Sequence, residues 1–150
     1  MSDLRELYQE LILDHGKSPR NLRSIEDASH EASGYNPVCG DKVKIYLVCE
    51  DGMVRDVSFE GSGCAISTAS ASMLTQAVLG KSIEEIRELR RRVGEMLTAD
   101  PEGKENFQFM GKLAAFSGVC EFPNRVKCAT LAWHTLDAAL SVQQEDVSTE

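Results

Sequence analysis

The sequence lacks long apolar runs and is poor in basic residues. Its N-terminus, MSDLRELYQE, has no apolar stretch typical of a signal peptide, and no segment approaches the roughly 20 apolar residues of a membrane span. We therefore expect a cytoplasmic protein with no membrane partner. Only 16 Lys and Arg residues stand against 24 Asp and Glu, for a net charge of −8. Because nucleic-acid binding depends on neutralising phosphates, we expect no nucleic-acid partner.

The sequence also lacks the paired Cys-x-x-Cys motif of a structural zinc ribbon, although it contains five cysteines. Thiols stay reduced in the cytoplasm. These cysteines are therefore expected to bind metal, to be catalytic or to be buried, rather than to form disulfides.

Alternating apolar residues predict a small three-stranded antiparallel sheet. The segment 42–50 alternates and is followed by Asp51-Gly52, a strong hairpin signal, and by a return strand over 53–61 with an expected bend. A preceding strand around 29–35 would complete the sheet. With helices packed against this sheet, the fold class is α+β.

Apolar residues at helical spacing predict the remaining elements. Helices are expected over 3–15 with Gly16 as C-cap, from Cys64 to about Leu79, over 82–97 with a Ser82/Glu85 capping box, over 108–119 in a short form, and from about Asn124 to 140. The many Ser and Ala residues after Cys64 indicate close approach to a neighbouring element. We expect one domain over residues 1–150, ending in a short, acidic, frayed tail from about residue 141.

Three of the five cysteines lie at the edges of predicted elements. Cys39 is in the turn NPVCGD, two residues before Asp41; Cys64 precedes a helix; Cys128 is early in the last helix. Side chains at such positions can converge. Three thiolates and one carboxylate would form a tetrahedral site suited to zinc, Cu(I) or iron–sulfur chemistry. By spacing alone, a metal site and a set of unrelated reduced cysteines are equally supported.

Local charges favour the metal site. The start of a helix stabilises a thiolate at Cys64, and Arg125 and Lys127 are expected to favour ionisation of Cys128. The alternative is that both cations are solvated surface charges. Cys49 faces inward on a strand and is expected to act as a small hydrophobic residue.

The remaining cysteine and the histidines are weaker candidates. Cys120 lies in a loop eight residues before Cys128, and its role is left open. None of His15, His30 and His134 stands directly beside a cysteine of the candidate site. His15 ends the first predicted helix, where a cation would suit the helix dipole.

Three motifs in order, NPVCGD, GSGCAISTASASM and FPNRVKCATLAW, resemble those of the U-type iron–sulfur assembly proteins, the family of IscU and of the N-terminal part of NifU. The resemblance covers nearly the whole chain. Scaffold members of the IscU kind carry a histidine immediately before the third cysteine, where this chain has Lys127. The segment between Cys64 and Cys128 also looks extended, as in the SufU branch of the family.

The resemblance to the SufU branch implies a zinc-dependent sulfur acceptor, or sulfurtransferase, for iron–sulfur cluster assembly. Such a protein takes persulfide sulfur from a SufS-type cysteine desulfurase and passes it to downstream assembly components. Cys39 would accept the sulfur, and Arg125 and Lys127 would contact the desulfurase. The resemblance further implies that one Zn²⁺ is bound by Cys39, Asp41, Cys64 and Cys128.

Metal coordination conflicts with thiol reactivity, because a closed four-ligand site occupies the lone pair needed for attack. The resemblance implies that a partner histidine replaces Cys39 on the metal. Pro37 and Gly40 shape a turn that can move more easily than a helix. The chief alternative is a scaffold that builds a [2Fe–2S] cluster on the same residues, against which Lys127 argues. A zinc-stabilised interaction module without chemistry is a third reading.

Overall fold

A central antiparallel sheet organises the protein. The computed structural model describes residues 2–37, 39–99, 108–141 and 147–148. Strand β1 (His30–Asn36) pairs with β2 (Asp41–Glu50), which pairs with β3 (Met53–Ser62), both in antiparallel register. The predicted three-stranded antiparallel sheet is confirmed.

The second hairpin follows from its turn residues. Asp51 and Gly52 both adopt positive φ, 54° and 75°, as a two-residue turn matched to the strand twist requires. The register between β2 and β3 shifts between Val48 and Cys49, which leaves Arg55 as an extra residue on β3. This bulge is the physical cause of the predicted bend in the return strand.

Four α-helices flank the sheet in the described part of the chain. Their bounds are α1 (Ser2–Lys17), α2 (Ala65–Val78), α3 (Ile83–Leu97) and α4 (Pro123–Leu140). The capping box of α3 is present, because the Ser82 side chain accepts from the Glu85 N–H and the Glu85 side chain accepts from the Ser82 N–H. None of the described helices has both the length and the apolar composition needed to cross a bilayer.

The small residues of α2 allow its close approach to two neighbouring helices, as predicted. Its Ser70 hydroxyl donates to the Ala129 carbonyl of α4, at 2.6 Å. Its Ser72 hydroxyl lies 2.7 Å from Nδ1 of His15, the buried residue near the end of α1. The helix α4 packs across β1 and β2. The core therefore lies between the sheet and α4, and α2 joins α4 to α1.

The first helix ends later than predicted. Gly16 was expected to be the C-cap, but α1 continues to Lys17. A Cβ at Gly16 would lie 3.1 Å from the Cβ of Ala65. The glycine therefore serves close packing of α1 on the start of α2, which local sequence patterns do not reveal.

Two further predictions need correction. Residues 108–119, expected as a short helix, form part of a run of 3₁₀ turns over Gln108–Glu121 that is interrupted at Gly111, where φ is 62°. In the tail, which the sequence predicts to be frayed, two described residues pair with the sheet. Its short strand β4 (Val147–Ser148) pairs in parallel with Gly34 and Tyr35 of β1.

Candidate metal and thiol site

The turn between β1 and β2 carries the first two site residues. Asn36 and Asp41 face each other at the end of the strand ladder, and the Gly40 N–H donates to the Asn36 carbonyl at 2.8 Å. Gly40 has a φ of 75°. This geometry leaves Cys39 exposed on the loop, whereas Asp41, the first residue of β2, is fully buried.

The start of α2 brings Cys64 to Asp41. The Cys64 N–H donates to Asp41 Oδ1 at 2.9 Å, and Cys64 Sγ lies 3.9 Å from Asp41 Oδ2. Cys64 is the N-cap residue of α2, and its sulfur accepts a hydrogen bond from the Ser67 N–H at 3.4 Å. The helix start therefore fixes both the thiol and the carboxylate.

Gly63 is a site residue that the sequence analysis missed. A Cβ at this position would lie 2.3 Å from Asp41 Oδ1, far inside contact distance. The absence of a side chain at Gly63 thus lets the carboxylate reach the N-terminus of α2. The glycines flanking Ser62 in GSGC were the available signal, since a glycine in a strand often marks a site where another part of the chain approaches closely.

The second turn of α4 supplies the last thiol. Cys128 is fully buried, and its sulfur lies 3.6 Å from that of Cys39. The ligand atoms of Cys39, Asp41 and Cys128 all lie within 4.8 Å of one another. Together with the Cys64–Asp41 contact, this geometry joins the four residues that the sequence analysis singled out into one cluster.

Electrostatics within the cluster differ from expectation at Cys128. Arg125 and Lys127 were expected to favour the ionised thiol. Instead, burial raises the pKa of Cys128 well above its ordinary value, and hydrogen bonds with Asp41, Cys39 and Cys64 raise it further. Without a bound cation this thiol stays protonated, because a charge there would be desolvated and close to other acidic groups.

Arg125 lies beside the thiols, as predicted from its place on α4. A hydrogen bond with Cys128 and then the negative charge of Cys64 raise the pKa of Arg125 above its ordinary value. The guanidinium is exposed, so it can also meet a partner. Lys127 is exposed as well, and none of the described residues forms an ion pair with its ammonium group.

Cys49 and the three histidines lie outside this cluster. Cys49 is half-buried on β2, and burial raises the pKa of its thiol, an effect that a hydrogen bond with Ser29 partly offsets. The side chain of Cys120 falls outside the described part. His15 is 1% exposed, and burial followed by the charge of Arg20 lowers its pKa. The prediction of a cation at the end of α1 is therefore wrong, because this imidazole is buried and neutral.

The donor set suits a soft or borderline metal ion. Thiolate sulfur with one carboxylate oxygen fits Zn²⁺ or an iron–sulfur centre better than Mg²⁺ or Ca²⁺, which prefer oxygen. Asp41 is fully buried, and no described Lys, Arg or His forms an ion pair with it. A cation at the centre of the cluster would offset the cost of burying that carboxylate.

This α+β fold brings three thiols and one buried carboxylate together where its elements begin. Such an arrangement is typical of the class of proteins with thiol-rich metal sites. Residues 7–129 match the model of the NifU-like N-terminal domain. This chain therefore belongs to the NifU-like N-terminal domain family.

Relatives in this family have two kinds of name. The chain is 39% identical over 145 residues to the zinc-dependent sulfurtransferase SufU of Bacillus subtilis, covering 95% of each chain. It is 38% identical over 142 residues to the iron–sulfur cluster assembly scaffold protein IscU of Streptococcus pyogenes, covering 93% of this chain and 86% of that protein.

A solved structure agrees with the fold. The iron–sulfur cluster assembly scaffold protein for the SUF system of Fervidobacterium islandicum superposes with a TM-score of 0.80 at 36% identity. The match covers 91% of this chain and 98% of that one. The SufU/IscU-like fold expected from the sequence motifs is confirmed.

Proposed function

We propose that this protein is a zinc-dependent sulfur acceptor in iron–sulfur cluster assembly. It takes persulfide sulfur from a SufS-type cysteine desulfurase and passes it to downstream assembly components. The observation that carries the proposal is the convergence of Cys39, Cys64, Cys128 and Asp41, in which one thiol is exposed while the carboxylate and one other thiol are buried. The similarity to a zinc-dependent sulfurtransferase over 95% of the chain supports it.

The four residues have different freedom to move, which suggests different roles. Asp41 begins a strand in the sheet, Cys64 caps α2, and Cys128 lies within α4. Cys39 alone is on a turn, with its side chain exposed. We assign sulfur acceptance to Cys39 because it can leave the cluster without disturbing a helix or a strand, while the other three residues retain the metal.

The transfer step is a thiol–persulfide exchange. Cys39 Sγ, as a thiolate, attacks the terminal sulfur of the desulfurase persulfide. A new S–S bond forms on Cys39, the S–S bond on the desulfurase breaks, and the desulfurase cysteine leaves as a thiolate. Bound zinc supplies thiolates at neutral pH, because coordination deprotonates the thiols. The exposed Arg125 beside the thiols can stabilise the charge of the approaching persulfide.

A [2Fe–2S] scaffold is the second candidate function, and the similarity to the IscU scaffold of Streptococcus pyogenes favours it. The thiols and the carboxylate could also ligate iron. Against it stands Lys127, which precedes Cys128 and whose ammonium group offers no free lone pair. The purified protein distinguishes the two functions: one zinc per chain without visible absorbance supports the sulfur acceptor, and a brown protein supports the scaffold.

Desulfurase turnover tests the proposed function. Alanine production by a SufS-type desulfurase should rise when the wild-type protein is added, and should stay at the basal rate with the Cys39→Ser variant. Cys49→Ser is the matched control, since Cys49 is half-buried on β2 outside the cluster, and it should stimulate like the wild type.

The zinc content of the variants separates the loss of a metal ligand from the loss of the acceptor thiol. Cys39→Ser and Cys64→Ser each remove one candidate ligand, so both should lower the zinc content, but only Cys64→Ser leaves the proposed acceptor in place. A Cys39→Ser variant that stimulates turnover at the normal rate would sink the assignment of Cys39. A wild-type protein without any effect on turnover would contradict the proposed function as a whole.

A further inference from the structure

An apolar groove of about 580 Å³ has Ala65, the residue directly after Cys64, in its lining. It is also lined by Tyr8, Ile12 and Leu13 of α1, and by residues of the 3₁₀ run together with Phe122. Ile66 of α2 completes the lining named here. We propose that this groove, here termed the α1 groove, receives an apolar side chain of the cysteine desulfurase during sulfur transfer.

Two large apolar residues of the groove are more than half exposed. Leu13 is 57% exposed and Phe122 is 56% exposed. Aromatic side chains such as that of Phe122 are enriched in protein interfaces relative to the rest of the surface. The two side chains lie on different elements but line the same groove.

The position of the groove determines its occupant. Its residue Ala65 directly follows Cys64, and Phe122 is the N-cap residue of α4, the helix that carries Arg125 and Cys128. The N-terminal parts of α2 and α4, which supply two of the site thiols, therefore also border the groove. Gly16 fixes α1 against this border through its close contact with Ala65.

Sulfur transfer itself requires the desulfurase to cover this region. The persulfide sulfur must touch Cys39, whose own sulfur is 3.6 Å from that of Cys128. A standard interface buries about 800 Å² on each partner, which corresponds to a patch about 16 Å in radius. Since the groove begins one residue from a cluster thiol, a partner seated on Cys39 extends over it. This inference rests on the proposed function and names the surface through which that function is exerted.

The occupant is therefore an apolar side chain from the desulfurase surface that surrounds its persulfide cysteine. Arg125, exposed beside the thiols and three residues after Phe122, would face an acidic group of the same partner. The groove provides affinity and the cation provides orientation. A second copy of this chain in the groove is the rival occupant.

Two truncations test the inference. The measured quantity is the concentration of this protein that gives half-maximal stimulation of the desulfurase. Leu13→Ala and Phe122→Ala should each raise that concentration about tenfold, the effect of losing one interface anchor, and should leave the maximal stimulated rate and the zinc content unchanged. Leu79→Ala is the matched control: Leu79 is 49% exposed and caps the opposite end of α2 from Cys64. Its half-maximal concentration should equal that of the wild type.

The outcomes separate this inference from the function on which it rests. If the wild type stimulates, Cys39→Ser does not, and both truncations behave like Leu79→Ala, the α1 groove is not the docking surface and the proposed function stands. If the wild type has no effect, both fail together. Sedimentation of the wild type as a dimer that Phe122→Ala converts to a monomer would assign the groove to a second copy and overturn the inference.

Discussion

At the scale of single residues, chemical type and local position could be predicted from the sequence, but spatial proximity could not. The candidate cysteines stood out because each lies at an element edge, and the structure brings them together with Asp41. The raised pKa of Cys128 could not be predicted, since it depends on burial and on residues distant in sequence. The steric role of Gly63 was equally invisible, because the carboxylate it admits lies 22 positions earlier.

Gly63 provides a prediction for the site. In Gly63→Ala, the added Cβ would overlap Asp41 Oδ1 and displace the carboxylate. We expect zinc affinity to fall about 10- to 100-fold, as for other changes that disturb the support of a metal ligand. Competition with a chromogenic chelator measures this.

The control is Gly94→Ala in α3, where the added Cβ meets nothing within 4 Å beyond the local backbone of its own helix. It should retain zinc affinity and gain about 1 kcal/mol in free energy of unfolding, because alanine favours a helix interior. Equal zinc affinity in both variants would refute the steric role assigned to Gly63.

At the scale of elements, local sequence patterns identified most helices and strands. The Asp51-Gly52 hairpin and the Ser82/Glu85 capping box are signals carried by a few adjacent residues, and both are present. The run of 3₁₀ turns over Gln108–Glu121 and the strand Val147–Ser148 are different. Neither carries a strong periodicity. The 3₁₀ run packs against α1 and α3, and the strand pairs with β1, so both lie against elements distant in the sequence.

The capping box gives a prediction that concerns α3 alone. Ser82→Ala removes the acceptor for the Glu85 N–H, and the free energy of unfolding should fall by about 1 kcal/mol. Ser82→Asp retains an N-cap acceptor and should match the wild type. Urea denaturation measures both. A Ser82→Ala variant as stable as the wild type would show that the box contributes nothing, and zinc content should not change in either variant.

At the scale of the whole molecule, the contact between α1 and α2 links stability to pH. His15 is buried against Ser72 of α2, and burial followed by the charge of Arg20 lowers its pKa below the ordinary 6.5; the charge of Asp14 opposes this shift and that of Lys112 adds to it. Below about pH 6.5 the unfolded chain therefore binds a proton that the folded chain resists. The contribution of His15 to the free energy of unfolding is fully present above pH 6.5 and declines as the pH falls toward the lowered pKa.

Replacing His15 with glutamine should flatten this dependence. We expect the loss of unfolding free energy between pH 7 and pH 5.5 to be smaller in His15→Gln than in the wild type. Leu79→Ala, which removes no titratable group, is the control and should retain the wild-type slope. The pKa values of Asp14, Glu85 and Glu88 are also lowered, but these carboxyl groups change the stability only below about pH 4.5, outside the range tested for His15. Identical slopes in all three proteins would contradict the role of His15 in the pH dependence of stability.

The central claim is that Cys39 receives sulfur from a desulfurase. The most direct measurement incubates the zinc-loaded protein with a SufS-type desulfurase and free cysteine, then labels persulfides and locates them by tandem mass spectrometry. The account predicts a persulfide on Cys39 and none on Cys49, Cys64 or Cys128. Persulfide on one of these three cysteines instead of Cys39, or on none of the cysteines while the desulfurase turns over, would contradict it.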